Sequence, residues 1–120
     1  MQNEKKDLSE RLLDFGARII KLVIKLNKTV VGRHIGKQLM RSSTSAGANY
    51  QEACGAESRA DFIHKMQVVL KETRETLYWL KLIEKSGLVS SDNLTSLLNE
   101  CEELIRIVAK SVITAKGRAK

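Results

Sequence analysis

Several polar residues in the middle of the chain have the types and spacing to form a charged cluster. They are Arg41, Ser45, Asn49, Glu52, Glu72 and Glu75. The first four recur every three or four residues, which places them on one face if the segment is helical. Carboxylates beside an arginine can act as acids or bases in a catalytic site, or they can satisfy one another across a helix interface. We predict the second role, a structural polar network that specifies the fold.

A second combination is an arginine and a histidine a few residues further along. Arg59 and His64 have an Arg-x4-His spacing that resembles the motif of the HEPN ribonucleases, which are also helical bundles. The resemblance implies a histidine that acts on the ribose 2′-hydroxyl and an arginine that steadies the phosphate. A polar residue usually follows that arginine, whereas Ala60 follows it here. A ribonuclease therefore stays an alternative, and we predict a protein that is not an enzyme and has no catalytic residues.

Metal and thiol chemistry are not predicted. Cys54 and Cys101 lack the spacing of a zinc site, and the Glu-x-x-His pairs of a di-iron bundle do not occur. Each cysteine is expected to be a small buried hydrophobe in a reducing compartment. Residues 1–15 are charged and contain no apolar run, so neither a secretory signal nor a membrane span is predicted. We expect a cytoplasmic protein without a metal or cofactor.

Positive charge is concentrated in stretches that contain no acid. The chain has 21 Lys and Arg against 14 Asp and Glu, a net charge of +7. No acid occurs between Asp14 and Glu52, and a second acid-free stretch follows Glu103. The bases of the first stretch are Arg18, Lys21, Lys25, Lys28, Arg33, Lys37 and Arg41. Such blocks are typical of proteins with an anionic partner, and we predict that these seven bind the phosphate backbone of RNA or DNA.

The elements that must position these residues are helices. The chain has no proline, and its apolar residues recur at intervals of three and four. This pattern predicts an all-α protein with one domain and helices over about residues 7–27, 30–53, 59–85 and 91–115. Short connections favour antiparallel neighbours, so the predicted architecture is an antiparallel up-down-up-down four-helix bundle. The basic end of the first helix would then lie beside the basic start of the second.

The second helix is the least regular of the four. Residues 42–49, SSTSAGAN, have small side chains and low helix propensity, and in isolation they would form a loop. The helical period of the flanking residues, and the close approach that small residues permit, favour a continuous helix. Thr29 is predicted to cap its start. Ser58 and Asp61 are predicted to form a capping box at the start of the third helix.

The run from residue 41 to residue 89 resembles the four-helix bundle family first noticed as proteins encoded in 23S ribosomal RNA intervening sequences. In the second helix the matching positions are Arg41, Ser42, Ser45, Asn49, Glu52 and Gly55. In the third helix they are Ser58, Asp61, Phe62, Lys71, Glu72, Glu75, Thr76, Trp79 and Leu80. The sequence departs from the family where Ala53 and Cys54 precede the glycine, since in the family a Glu is followed directly by Gly.

The resemblance implies a bundle that associates into a homopentameric ring or barrel and a basic surface that meets nucleic acid. A related branch, the accessory variability protein of diversity-generating retroelements, is similar in fold and partners a reverse transcriptase and its RNA. The leading hypothesis is therefore a non-enzymatic, homo-oligomeric protein that binds nucleic acid or serves as accessory to an enzyme such as a reverse transcriptase. A HEPN-like ribonuclease and a protein-binding adaptor are the alternatives.

Two adjacent aromatic residues indicate where subunits could meet. Tyr78 and Trp79 are about 100° apart on a helix, so they cannot both point into the core. Tyrosine and tryptophan are enriched in protein interfaces. We predict that Tyr78, Trp79 and the nearby Leu82 form part of a subunit contact.

Overall fold

Four long helices joined by short connections make up the protein in its computed structural model. The structure describes residues 7–90 and 93–118, with only the backbone of residue 118. The helices are α1 (Leu8–Leu26), α2 (Val30–Cys54), α3 (Arg59–Ser86) and α4 (Leu94–Arg118). No strand occurs in these two described ranges, so the predicted all-α class is confirmed.

The helices pack in chain order around a closed bundle. α1 contacts α2, α2 contacts α3, α3 contacts α4, and α4 returns to α1, whereas the backbones of the diagonal helices stay further apart within the described ranges. Short connections make neighbours antiparallel, which confirms the four-helix bundle. The seam between α1 and α4 is the most sparsely packed of the four. We call the end that holds Leu26, Val30, Ser86 and Leu94 the upper end.

Two groups of apolar side chains fill the bundle. The larger group occupies the upper half, and its fully buried members include Ile19, Leu39, Leu80, Ile83 and Leu104. The smaller group occupies the lower half and consists of Ala46, Ala53, Met66, Val69, Val108 and Val112. Removing this apolar surface from water is the main force that holds the four helices together.

The small-residue stretch of α2 is helical, as predicted, because its hydroxyl groups find partners. Ser43 and Thr44 both donate to the carbonyl oxygen of Met40, at 3.3 and 2.8 Å. Ser42 is fully buried, and its Oγ lies 2.7 Å from Oγ1 of Thr76 on α3. These bonds satisfy hydroxyl groups that would otherwise compete with the helix or be buried without a partner.

Side-chain caps fix where the helices begin. The N–H of Gly32 donates to Oγ1 of Thr29 at 2.9 Å, and the N–H of Asp61 donates to Oγ of Ser58 at 3.0 Å, so both predicted N-caps are confirmed. The carboxylate of Asp61 also binds the ammonium of Lys65 one turn further on, at 2.9 and 3.0 Å. α4 begins at Leu94, later than the predicted residue 91, which lies outside the described residues.

The turn between α1 and α2 depends on Gly32. A Cβ atom at this position would lie 1.9 Å from the backbone oxygen of Leu26 and 2.8 Å from its backbone carbon. Backbone atoms cannot move aside as the end of a flexible side chain can. A larger residue would therefore push the start of α2 away from the end of α1, and with it the basic residues that both segments carry.

We expect Gly32→Ala to lower the free energy of unfolding by about 1 to 3 kcal/mol, the usual range for overpacked sites. Gly117→Ala is the matched control, because Gly117 is an exposed helical glycine on α4 and has nothing within 4 Å of a Cβ atom. Alanine has the higher helix propensity, so this control should be neutral or more stable by up to about 1 kcal/mol. Equal effects of the two substitutions in urea unfolding would contradict the steric role of Gly32.

Candidate nucleic-acid interface

Most of the predicted phosphate-binding residues lie exposed near the upper end, on α1, α2 and the turn between them. These exposed residues are Lys21, Lys25, Lys28, Arg33 and Lys37. None of these five side chains takes part in the ion pairs between described residues, which involve Arg11, Arg41 and Lys65 instead. The structure thus collects charges that are spread over 17 positions of sequence onto one end of the bundle, where an anionic partner could reach them.

Arg18 and Arg41 have different surroundings from the other five predicted binding residues. Arg18 is half-buried at the seam between α1 and α4, and its Nη2 donates to Oγ of Ser96 at 2.8 Å. Arg41 faces α3, where its Nη1 donates to Oε1 of Glu72 at 3.2 Å and its Nη2 donates to Glu75. Two carboxylates compensate the charge of Arg41, so we assign it to the polar network and not to the interface.

The predicted polar network divides into two parts. In the first part, Glu75 accepts from Arg41 and also from Nε1 of Trp79, the latter at 3.0 Å. The second part is local to α2, where Nδ2 of Asn49 donates to the carbonyl oxygen and to Oγ of Ser45, at 2.9 and 3.1 Å. Glu52 is exposed near the end of α2, and within the described residues no hydrogen bond joins it to either part.

The hydrogen bond from Arg41 lowers the pKa of Glu75, and the bond from Trp79 adds to the effect. The pKa of Arg41 is raised in return, mainly by the same hydrogen bond. Glu75 is therefore ionised at neutral pH and acts as a hydrogen-bond acceptor. This is the behaviour of a structural pair that joins α2 to α3, since a general acid would need a raised pKa.

A second charged cluster, which the sequence analysis did not find, ties α1 to α4. Arg11 donates through Nε and Nη2 to the two carboxylate oxygens of Glu100, at 3.1 and 2.8 Å, and through Nη2 to Glu103 at 2.7 Å. Bidentate contacts of this kind are among the strongest hydrogen bonds in proteins. The bond from Arg11 lowers the pKa of Glu103. The spacing of the two acids, one helical turn apart, was the only sequence signal of this cluster.

The alternative ribonuclease motif lies in the first turns of α3, at the lower end of the bundle. Arg59 is the first residue of α3 and His64 is exposed one turn later. Residues five apart on a helix are about 140° apart around its axis, so the two side chains leave the helix on different sides. A histidine and an arginine that act on one phosphodiester must reach it together.

The two cysteines have different environments. Cys101 is buried as predicted, and its Sγ donates to the carbonyl oxygen of Thr73 at 3.5 Å. Burial raises the pKa of this thiol to about 12. The prediction that Cys54 is buried is wrong, because the carboxyl-terminal turn of α2 exposes it. The described residues contain no group of three potential metal ligands and no helix long and apolar enough to cross a membrane.

Of the three residues predicted to form a subunit contact, Tyr78 alone is strongly exposed, at 58%. Trp79 and Leu82 are partly buried and pack against the larger core group. The ring of Trp79 lies edge-on to that of Tyr78, with the centroids 5.1 Å apart. These contacts make Trp79 and Leu82 part of the bundle, so only Tyr78 offers a large surface to a second molecule.

A larger apolar surface lies on the outer side of α1 and α2. Leu13 and Ile24 are exposed by 74% and 67%, and together with Ala17 and Ile20 they follow the helical period along α1. Beside them runs a groove of about 420 Å³, which we call the α1–α2 groove. Small residues form much of its lining: Ser9, Gly16, Ala17, Ser43, Thr44, Gly47 and Ala48. Asp14 is its single charged lining residue among those described.

Comparison with known proteins now assigns the chain to a family. The profile described as 23S rRNA-intervening sequence protein matches residues 4–110. The chain belongs to the 23S rRNA-intervening sequence protein family. The resemblance seen in residues 41–89 is thereby confirmed, and membership in the family extends it over α1 and most of α4.

A solved structure supports the same assignment. A protein of unknown function from the S23 ribosomal protein family of Bacteroides thetaiotaomicron is 34% identical to the chain. The two structures align with a TM-score of 0.80 over 88% of this chain and 98% of that one. No functionally curated protein matches the chain. Family membership therefore establishes the fold, and function must be argued from the surface of this 23S rRNA-intervening sequence protein.

The pair of Arg41 and Glu75 predicts how stability responds to acid. Because the folded-state pKa of Glu75 lies below its ordinary value of 4.5, the pair stabilises the protein above that value. This stabilisation is lost as the pH falls from the ordinary pKa of 4.5 toward the lower pKa of Glu75 in the folded protein. Glu75→Gln should lower the free energy of unfolding at neutral pH by about 0.2 to 1 kcal/mol and flatten its dependence on pH in the acid range.

Urea unfolding followed by the fluorescence of Trp79 at a series of pH values measures both effects. The matched control is Glu84→Gln, because Glu84 is an exposed acid on the same helix. Parallel stability curves for the wild type and Glu75→Gln would mean that Arg41 does not stabilise the ionised carboxylate.

Proposed function

We propose that this 23S rRNA-intervening sequence protein is a non-enzymatic, homo-oligomeric protein of the cytoplasm that binds the phosphate backbone of RNA or DNA. The observation that carries the proposal is the cationic surface of the upper end. Lys21, Lys25, Lys28, Arg33 and Lys37 supply it, and Arg18 borders it at the seam with α4. The acids of α1 and α2 occur toward the opposite end of the bundle: Glu10, Asp14 and Glu52.

The composition of this surface favours contact with phosphate groups over sequence-specific recognition of bases. Residues 18–41 include no Phe, Tyr or Trp, so they offer no aromatic platform for stacked bases. Lysine and arginine contacts to phosphate release condensed counterions and carry little sequence information. Binding should therefore weaken steeply with salt and should differ little between sequences.

Self-association is the second part of the proposal, with the α1–α2 groove as the contact and a second copy of the chain as its occupant. Two chains of net charge +7 repel each other across most of their surfaces. The groove and the exposed stripe of Leu13, Ile20 and Ile24 form an almost uncharged face, and interface cores are depleted of charge. In a closed ring such as a pentamer, the basic ends of all copies would lie on one rim. A long polyanion could then contact several copies at once and bind more tightly.

Reversing Lys21 and Lys25 together to Glu tests the binding surface. Wild-type protein should bind short labelled RNA and DNA at low salt, with log K falling linearly against log salt concentration. The double variant should bind more weakly, and its salt slope should be smaller by about 2 because two phosphate contacts are lost. Fluorescence anisotropy across a salt series measures both quantities.

The control for that experiment is Lys110→Glu combined with Lys116→Glu, the same change of net charge on exposed residues of α4 near the lower end. This control should leave the salt slope unchanged. If both double variants weaken binding equally, net charge alone is responsible and the upper surface is not the interface. If wild-type protein binds neither RNA nor DNA at low salt, the proposal fails and an acidic protein partner becomes the better explanation of the charge.

Leu13→Glu tests self-association. Light scattering should give the wild type a mass several times that of one chain, and the variant a mass shifted toward one chain, because a buried glutamate would be desolvated without a partner. Ile113→Glu is the matched control, since Ile113 is exposed by 70% on α4, outside the α1–α2 groove. An unchanged mass for Leu13→Glu would exclude the groove as the contact.

A further inference from the structure

The seam between α1 and α4 opens near the upper end into a cleft of about 460 Å³, which we call the seam cleft. Its α1 side is formed by Arg18, Lys21, Leu22 and Lys25. Its opposite side comes from the end of the α3–α4 connection and the start of α4: Val89, Ser90, Asn93, Leu94 and Leu97. The volume falls within the range of about 300 to 1,000 Å³ that is usual for small-molecule sites.

The lining of the seam cleft combines three kinds of group. The three cations lie three and four residues apart, on one side of α1, and can surround a single phosphate. Opposite them, the partly exposed Val89 supplies apolar surface above the buried Leu94 and Leu97, and Ser90 and Asn93 supply hydrogen-bonding groups at the edge of the cleft. A surface that met only a phosphate backbone would not need the apolar side or a concave shape.

Arg18 lies between the seam cleft and two acids, because it also lines a second pocket with Glu100 and Glu103. None of the described residues that line the cleft is an Asp or a Glu. Glu100 and Glu103 lie further along the seam, where Arg11 binds both carboxylates. Arg18 is held in place by its bond to Ser96 at 2.8 Å, and its remaining N–H groups can serve a ligand without a large loss of side-chain entropy.

The packing of the bundle explains why a cleft occurs at this seam. α1 and α4 make fewer contacts than the other neighbouring pairs, and polar bonds from Arg11 and Arg18 hold much of the seam. Leu22, Leu94 and Leu97 close its inner side as members of the larger core group. The cleft thus has a rigid apolar interior and a polar opening.

We propose that the seam cleft binds one nucleotide unit of single-stranded nucleic acid. The phosphate is held by Arg18, Lys21 and Lys25, and the sugar and base lie against Val89 and the exposed edge of Leu22. This inference rests on the proposed function and makes it more specific, because a base that is paired and stacked in a duplex cannot enter a cleft. The protein should therefore prefer single strands or unpaired ends to duplexes of equal charge.

Ser90→Trp tests the cleft without changing the charge. A tryptophan at this edge should fill the opening, and should weaken binding of a short single-stranded RNA by about tenfold or more, which corresponds to about 1.4 kcal/mol. The affinity for a duplex RNA of the same total charge should change by less than about twofold, which corresponds to well under about 1.4 kcal/mol. Ala60→Trp is the control, because Ala60 is exposed at the lower end and should leave both affinities unchanged. Circular dichroism establishes that each variant is folded.

A second measurement uses the wild-type protein and small probes. Uridine monophosphate should shift the methyl resonances of Leu22 and Val89 in nuclear magnetic resonance spectra, and it should do so at lower concentration than inorganic phosphate or a short alkyl phosphate. If inorganic phosphate binds as tightly, the cleft is a simple anion site and the proposal is wrong. If the alkyl phosphate binds as tightly, the apolar side does not recognise a nucleotide and the proposal is also wrong.

The results separate this inference from the proposed function. If Ser90→Trp binds single-stranded RNA as the wild type does, while Lys21→Glu with Lys25→Glu abolishes the salt-dependent binding, the cleft is excluded and the phosphate-binding surface stands. If uridine monophosphate enters the cleft but neither RNA nor DNA binds at low salt, the cleft holds a free nucleotide only, and both the proposed function and this inference fail.

Discussion

The contact between α2 and α3 is the constraint on which the rest of the bundle depends, because α2 carries few large side chains with which to hold itself in place. Its central turns offer serine and alanine, so α3 can pack closely only if the hydroxyl of Ser42 is satisfied, and Thr76 satisfies it at 2.7 Å. Arg41 then joins the outer edge of the same interface to Glu72 and Glu75. The fixed position of α2 determines where the exposed Arg33 and Lys37 lie.

At the upper end of the bundle, basic residues occupy positions where acidic residues would stabilise the helix more. The first turn of α2 contains no acid, although a negative side chain there would interact favourably with the helix dipole. Arg33 and Lys37 follow instead, beside the basic last turn of α1 that contains Lys25. Selection for stability alone would favour mixed charges at this end. Here the usual preference for acids at a helix N-terminus is not followed, and no ion pair among the described residues compensates the bases. Such an exception is typical of a functional surface.

Periodicity and capping signals were sufficient to predict the four helices, because both act over a few residues of sequence. The same signals could not show which polar groups meet. Arg11 and Glu100 are 89 positions apart and come together only because α4 returns to α1. Glu52 shares the spacing of Arg41 and Asn49, yet it lies exposed near the end of α2. Cys54 lies in the last turn of α2 directly after the buried Ala53, but its own side chain is exposed.

The proposed contacts of α1 with a second copy and with nucleic acid are compatible with its packing in the core, because its circumference is divided into three sectors. Leu12, Ile19 and Leu26 face the core, the stripe of Leu13 and Ile24 faces outward beside α2, and Lys21 and Lys25 lie on the side toward α4. Helical spacing sets these sectors about 120° apart. An oligomer built through the α2 side would therefore leave the basic side and the seam cleft open in every copy. Association and nucleic-acid binding are then separable by mutation, although avidity couples them when the polyanion is long enough to reach several copies.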